Sequence, residues 1–74
     1  MPTMATMRID GQKVRRLREQ KLWTREDLAK RADVSPDQVG RIERGVTTNP
    51  QMRTIRGLVK ALNVDPKELV AEEE

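Results

Sequence analysis

The sequence contains no cysteine and no histidine, and these two absences remove several classes of protein at once. Without cysteine there is neither a disulfide framework nor a thiolate zinc site. Without histidine, the commonest metal ligand and the usual general base are both missing. The carboxylates that remain form no recognisable set of nucleophile, base and orienting group. We therefore predict no catalytic residue, no metal site, no cofactor and no enzymatic activity.

Long apolar runs are missing as well. No stretch approaches the roughly 20 apolar residues of a membrane-spanning helix. The N-terminus lacks the basic start and the apolar centre of a secretory signal. With 74 residues, one domain is expected, and a domain of this size is marginally stable unless it is well packed or oligomeric. The expectation is a cytoplasmic protein with no membrane partner.

Positive charge is in excess, and it is unevenly placed. Residues 11–60 contain thirteen Lys or Arg against six Asp or Glu, a balance of +7. Residues 65–74 contain one Lys against five acids, a balance of −4. A basic body is typical of proteins that bind a polyanion. Many small soluble domains also have a charged surface, so charge alone does not show whether this surface binds a polyanion or is simply solvated.

Two short helices joined by a tight turn are predicted between residues 24 and 45. Thr24 and Asp27 have the spacing of a helix cap and its capping-box partner, and this helix should end near residue 32. Ser35, Pro36 and Gln38 repeat that pattern for the next helix. The segment therefore has the local signals of a helix, a turn and a second helix.

The second of these helices has two unlike faces. Val39 and Ile42 share one side because successive residues turn by roughly 100°. Asp37, Arg41 and Arg44 lie almost opposite and point outward. A short helix that is anchored by apolar residues and shows arginine and acid outward suits the major groove of DNA.

Three further helices are predicted around this pair, which makes the domain all-α and compact, with five helices. The first runs from a cap at Asp10 to about Lys21, and the fourth runs from about Gln51 to Asn63. A short fifth helix begins at Asp65. The domain boundaries that follow are a flexible tail at 1–9, the folded domain at 10–72 and an acidic end at 73–74.

Helical spacing of apolar residues predicts one core. Its expected members are Val14, Leu17, Leu22, Trp23, Leu28, Ala29, Val34, Val39, Ile42, Ile55, Val59 and Leu62. Trp23, the only aromatic residue, could stack on a base, but its place between two helices favours packing. Leu69 and Val70 either complete the core or contact a second subunit. Gly57 costs its helix about 1 kcal/mol relative to Ala, which close packing would explain.

The segment resembles the helix-turn-helix of the phage-repressor and Cro-like family, also called the xenobiotic-response-element family. The matching residues are Arg18, Thr24, Glu26, Leu28, Ala29, Val34, Ser35, Val39, Ile42, Glu43 and Gly45. The resemblance continues through LVKALNVDPKEL and covers about 11–70. It departs at Asp33, where the family usually has Gly, and at Arg25, where it often has Gln. Pro36 and Asp37 occupy positions from which members often read bases.

The resemblance implies a lambda-repressor-like DNA-binding domain with the helix-turn-helix at its second and third helices. It implies a sequence-specific transcription regulator, of the repressor kind, in a bacterial or phage-type setting and associated with the nucleoid. Double-stranded DNA would be the partner, with helix 35–44 in the major groove and a homodimer on a two-fold operator. In the family an Arg matching Arg18 pairs with the Glu that matches Glu43. Direct contact of Arg18 with phosphate is the alternative.

The DNA-contacting residues expected on this basis fall into two groups. Those assigned to base reading are Asp37, Gln38 and Arg41. Those assigned to the phosphate backbone are Thr24, Arg25, Ser35, Arg44, Thr47, Thr48, Asn49 and Arg53. Each assignment has an alternative. The Gln38 side chain can be occupied by helix capping instead of a base, and Asp37 can pair with Arg41 one turn later. Arg25 can be a solvated surface residue, and the loop at 46–50 can be an ordinary connector without DNA contacts.

A second function from another class uses the same fold. A protein-interaction module of the antitoxin or adaptor type would act through its fourth and fifth helices and would need no basic recognition face. The outward Arg41 and Arg44 argue against this as the sole function. Neither a ligand-sensing domain nor a small-molecule site is evident in the sequence.

Overall fold

The computed structural model describes residues 8–71, which form four α-helices and one 3-10 turn. The elements are α1 (Gly11–Gln20), α2 (Arg25–Ala32), α3 (Pro36–Glu43), α4 (Met52–Leu62) and the 3-10 turn Pro66–Glu68. The all-α prediction is confirmed, but the count of five helices is wrong. Asp65 makes no side-chain cap hydrogen bond, and the segment closes after one turn at Leu69.

Side-chain capping fixes where α2 and α3 begin. The Thr24 hydroxyl accepts from the backbone N–H of Asp27 at 3.0 Å, and the Asp27 carboxylate accepts from the Thr24 N–H at 2.9 Å. These bonds hold the pKa of Asp27 below its ordinary value. The Ser35 hydroxyl accepts from the Gln38 N–H at 3.1 Å. The Gln38 side chain donates to Thr54 at 3.3 Å rather than closing the predicted second box.

A residue in the left-handed backbone conformation follows each of the helices α2, α3 and α4. Asp33 (φ 63°) terminates α2 and Asn63 (φ 57°) terminates α4. Gly45 (φ 81°) follows α3, as its position predicts. Short polar residues and glycine adopt this conformation at low cost. Leu22, at φ 61°, is the exception.

Two glycines allow helices to approach closely. A Cβ atom at Gly11 would lie 2.0 Å from the carbonyl oxygen of Ile42, so the start of α1 rests on the end of α3. A Cβ atom at Gly57 would lie 2.3 Å from the carbonyl oxygen of Ala32, so α4 crosses the end of α2. Close packing at Gly57 therefore offsets its low helix propensity.

The core lies where α2 packs against α3 and α4, with α1 against α3. Its buried hydrophobic members are Ile9, Val14, Leu28, Ala29, Ala32, Val39, Ile42, Ile55, Leu58, Leu62 and Leu69. Four predicted members are only partly buried at its edge, namely Leu17, Trp23, Val34 and Val59. Leu22 was wrongly predicted to be buried, because the left-handed turn leaves its side chain 90% exposed.

The two ends of the described chain meet beside α1. The Ile9 N–H donates to the Thr48 carbonyl at 2.8 Å, and the Asp10 N–H donates to the Leu69 carbonyl at 2.7 Å. Ile9 also forms an isolated antiparallel bridge with Val70. Ile9 is buried, so the predicted tail of 1–9 is wrong at that residue. The rest of the tail at 1–7 and the acidic end at 73–74 lie outside the described residues.

Burial also decides between the two readings of Leu69. Its side chain is 0% exposed within one chain. Leu69 therefore completes the core, and the prediction that it is a candidate dimer contact is wrong. Val70, its neighbour, is half-buried.

The core assignment predicts the effect of truncating Ile42. Ile42→Ala removes a side chain that is 0% exposed, so it should lower the free energy of unfolding by about 2–5 kcal/mol. Val46→Ala, at a position that is 66% exposed, is the control and should change it by less than about 0.5 kcal/mol. Denaturant titration measures both. A loss below about 0.5 kcal/mol for Ile42→Ala would contradict the helix phase.

The conformation of Leu22 predicts a stabilising substitution. Leu22→Gly removes about 1–2 kcal/mol of left-handed strain and adds about 0.4–1 kcal/mol of unfolded-state entropy. The protein should gain about 0.5–1 kcal/mol. Leu22→Ala keeps the Cβ atom, and with it the strain, so it should gain nothing. Equal effects of the two substitutions in thermal or denaturant unfolding would show that the turn is unstrained.

Candidate nucleic-acid interface

A buried ion pair fixes α3 to α1. Arg18 Nε donates to Glu43 Oε2 at 2.7 Å, and Arg18 Nη2 donates to Glu43 Oε1 at 3.1 Å. Arg18 Nη1 donates to the Trp23 carbonyl at 2.7 Å. The Glu43 side chain is 1% exposed. The structure thus brings together the two residues expected to pair, and it leaves Arg18 turned inward rather than toward a phosphate.

The same carboxylate has a second partner that the sequence did not indicate. Arg25 Nε, at the start of α2, donates to Glu43 Oε1 at 3.2 Å. Its side chain remains 44% exposed. The hydrogen bonds that Arg18 donates to Glu43 raise the pKa of Arg18 above its ordinary value. Arg25 is therefore held at the surface by a buried anion and is not freely solvated.

The outer face of α3 carries its charged residues. Asp37, Arg41 and Arg44 are all exposed, as the helix phase predicts. Asp37 Oδ2 lies 3.1 Å from Arg41 Nε, which is the pairing one turn apart that the spacing allowed. The Arg44 side chain crosses Gly40, where a Cβ atom would lie 3.1 Å from Arg44 Nη1. Arg44 has no carboxylate within ion-pair distance in residues 8–71.

A polar contact ties the start of α3 to α4. Gln38 Nε2 donates to the hydroxyl of Thr54, a residue that is 2% exposed. The groove between the two helix starts is lined by Ser35, Gln38, Gln51, Arg53 and Thr54, with Asp33 and Val34 at one end. The structure therefore places Ser35, Gln38 and Arg53, three of the predicted contact residues, along one groove.

The loop after α3 is held by the backbone of α3 itself. The N–H groups of Val46 and Thr47 donate to the carbonyl of Arg41 at 2.9 and 3.2 Å. The carbonyl of Thr48 accepts from Ile9. Thr48 and Asn49 are exposed, and Thr47 is half-buried. The loop is thus a supported segment whose polar side chains are available at the surface.

Every predicted contact residue therefore lies on α3 or on a segment tied to it. Arg25 is joined through Glu43, Arg53 shares a groove with Gln38, and Thr47 is bonded to Arg41. Thr24 caps α2 next to Arg25 and is exposed. The arrangement presents cations, hydroxyls and amides from α3 and from three segments around it, a combination suited to phosphate and base contacts.

The comparison with protein families agrees with this geometry. A helix-turn-helix family model matches residues 14–69. The chain belongs to that family, and its resemblance to the phage-repressor and Cro-like type is confirmed. This is a class of DNA-binding transcription regulators. No curated protein sequence matches the chain significantly.

Solved structures show the same fold. The restriction-modification controller protein C.AhdI from Aeromonas hydrophila is 36% identical, with a TM-score of 0.73, over 78% of this chain and 86% of that one. SinR, described as the master regulator for biofilm formation and solved with DNA, is 28% identical, with a TM-score of 0.73, over 77% and 90%. The P22 c2 repressor, solved with a synthetic operator, is 28% identical, with a TM-score of 0.72, over 77% and 85%.

Residues 8–71 contain neither a membrane-spanning helix nor a metal-binding cluster. None of the helices within 8–71 is long and apolar enough to cross a membrane. The same residues contain no group of three or more carboxylates placed to hold a metal ion.

The buried pair predicts a non-additive pair of substitutions. Glu43→Met alone leaves the buried Arg18 without its bidentate partner, and Arg18→Met alone leaves the buried Glu43 with only the half-exposed Arg25. Each single variant should cost about 3–5 kcal/mol of unfolding free energy. The double variant removes both charges and should cost less than the worse single variant. A double-mutant cycle by denaturant unfolding measures the coupling, and simple additivity would show that the two side chains do not interact.

Proposed function

We propose that this protein is a sequence-specific DNA-binding repressor that inserts α3 into the major groove. The proposal rests on the way in which α3 is held in the fold. One face is buried in the core through Val39 and Ile42, its end is held by the Glu43 ion pairs, and its exposed face presents Arg41 and Asp37. A short rigid helix with guanidinium and carboxylate outward is suited to base edges in the wider groove.

Phosphate contacts would supply most of the affinity and would orient the domain. We assign them to Thr24, Arg25, Ser35, Arg44, Thr47, Thr48, Asn49 and Arg53. Arg25 lies in the first turn of α2, where free backbone N–H groups and the helix dipole favour an anion. Arg44 and Arg53 have no carboxylate within ion-pair distance among residues 8–71. Their charge is therefore free to meet phosphate.

Base reading falls to residues of α3. Arg41 can make two hydrogen bonds to guanine, Gln38 can bond to adenine, and Asp37 can accept from cytosine. The Gln38 amide already donates to Thr54. That bond fixes its position at the groove between α3 and α4 and leaves its oxygen to accept from a base.

The relatives support DNA as the partner. The SinR and P22 c2 structures are described as complexes with DNA and with a synthetic operator. For this chain we infer the same kind of partner and a bacterial cytoplasmic setting, in association with the nucleoid. One recognition helix reads few base pairs, and two-fold dimers of this motif bind half-sites about 34 Å apart. We therefore infer a homodimer on its operator, with Val70 as the remaining candidate contact after Leu69.

Selection of bound sequences from a random DNA pool tests this function. The proposal expects a common motif of two related half-sites about one helical turn apart. Recovery of unselected sequences, together with affinity that depends only on salt, would contradict specific reading. A protein-interaction module would then be the better account.

Arg41→Ala and Arg25→Ala should have different effects on DNA binding. Arg41→Ala should cost about 1–3 kcal/mol on the selected site and relax the preference at one base pair. Arg25→Ala should weaken all sequences alike and lower the slope of log affinity against log salt by roughly one. Fluorescence anisotropy at several salt concentrations separates the two effects.

Arg16→Ala is the matched control for both variants. Arg16 is exposed on α1 and was assigned no DNA contact, so its removal changes net charge equally and should leave base preference and salt slope nearly unchanged. If Arg41→Ala weakens selected and random DNA equally, Arg41 contacts phosphate instead of a base.

A further inference from the structure

The ion pair on the outer face of α3 has a geometry that bears on how Arg41 meets DNA. The closest approach, 3.1 Å, joins Asp37 Oδ2 to Arg41 Nε. The two terminal amino groups of Arg41 have no other hydrogen bond or ion pair among residues 8–71. A guanidinium can therefore keep a carboxylate on its Nε side and still offer its terminal amino groups, the pair of donors that matches guanine O6 and N7.

The rest of the Asp37 surroundings favours this role over a purely structural one. Its side chain is 73% exposed, and no backbone N–H donates to it among the described residues. The start of α3 is capped by the Ser35 hydroxyl instead. The carboxylate is thus not required to begin the helix, and its one described partner is Arg41 one turn later.

We propose that Asp37 is a positioning residue for sequence specificity: it orients Arg41 toward a guanine, and this role replaces the cytosine contact that its side chain would otherwise allow. This inference rests on the proposed DNA-binding function. A preorganised guanidinium loses less rotamer freedom on contact with the base, because its side chain is already held near one orientation.

The negative charge of Asp37 has a second consequence. When α3 lies on DNA of the wrong sequence, Arg41 gains no guanine contact, yet the carboxylate is still brought near the phosphates. Like charge is repelled there, so the acid lowers affinity for random DNA more than for the true site. Asp37 therefore contributes to specificity both by holding the arginine and by weakening unspecific binding.

A contact between an arginine Nε and a carboxylate is also found at Arg15, Arg18 and Arg25. Arg25 meets Glu43 through its Nε at 3.2 Å and remains 44% exposed. Of the four arginines to which we assign DNA contacts, Arg25 and Arg41 are thus the two whose Nε lies beside a carboxylate. Glu43 is buried and needed for the fold, whereas Asp37 is exposed, so only Asp37 can be changed without disturbing the core.

Asp37→Asn tests the proposal, because Asn keeps the size of the side chain and removes its charge. Affinity is measured for the wild-type selected site, for every single base-pair variant of it and for random DNA. We expect the preference at the base pair read by Arg41 to fall by about tenfold, within the discrimination that one bidentate contact supplies. Affinity for random DNA should rise a few-fold.

Glu26→Gln is the matched control. Glu26 is an exposed acid in the first turn of α2 with no arginine partner within ion-pair distance in the described chain. The substitution Glu26→Gln removes the same charge from the same helical position. It can therefore raise affinity for random DNA but should leave every base preference intact. Thermal unfolding of all variants shows that each is folded at the temperature of the binding assay.

The double variant Asp37→Asn with Arg41→Ala completes the test. If Asp37 acts through Arg41, the double variant has the base preferences of Arg41→Ala alone. A loss of preference at a different base pair in Asp37→Asn would show that Asp37 reads a base itself and would overturn the proposal. Unchanged preferences, as in Glu26→Gln, would also overturn it. If the wild-type protein selects no sequence, the proposed function fails and this inference fails with it.

Discussion

The buried carboxylate of Glu43 is the interaction on which the rest of the structure depends. It is nearly inaccessible, and it accepts hydrogen bonds from Arg18 of α1 and Arg25 of α2 while lying at the end of α3. A buried charge of this kind is tolerated only when its partners are in place. One side chain therefore fixes the relative positions of the first three helices. A small core alone would define them less uniquely.

That constraint connects the fold to the surface of α3. Gly11 brings α1 against the backbone of Ile42 and Glu43, and Gly57 brings α4 against the end of α2. The Gln38–Thr54 bond then joins the start of α3 to α4. With both ends of α3 held, its exposed residues occupy defined positions, which is what a site that discriminates between base pairs requires.

Local signals in the sequence predicted the helix starts well, because capping depends on residues three positions apart. Thr24 with Asp27, and Ser35 with the N–H of Gln38, behave as their spacing indicates. Leu22 was misplaced because helical periodicity was extended across a turn, where φ becomes positive and the side chain points outward. Ile9 was assigned to a tail because the apolar residues of 1–9 have no regular spacing and so give no local signal.

The candidate site was predictable as a set of residues but not as a set of contacts. The helix phase gave Asp37, Arg41 and Arg44 as outward, and burial agrees. The contact of Arg25 with Glu43 depends on how α2 crosses α3, and that crossing is a tertiary property with no sequence pattern. Ile9 and Val70 likewise form their bridge only because the two ends of the fold come together.

Chemical protection on the selected operator tests the placement of α3 most directly. Dimethyl sulfate methylates guanine at N7 in the major groove and adenine at N3 in the minor groove. If α3 lies in the major groove, saturating protein should protect guanine N7 in each half-site and leave adenine N3 there reactive. Protein that is bound at saturation while guanine N7 stays fully reactive would contradict insertion of α3 into the major groove.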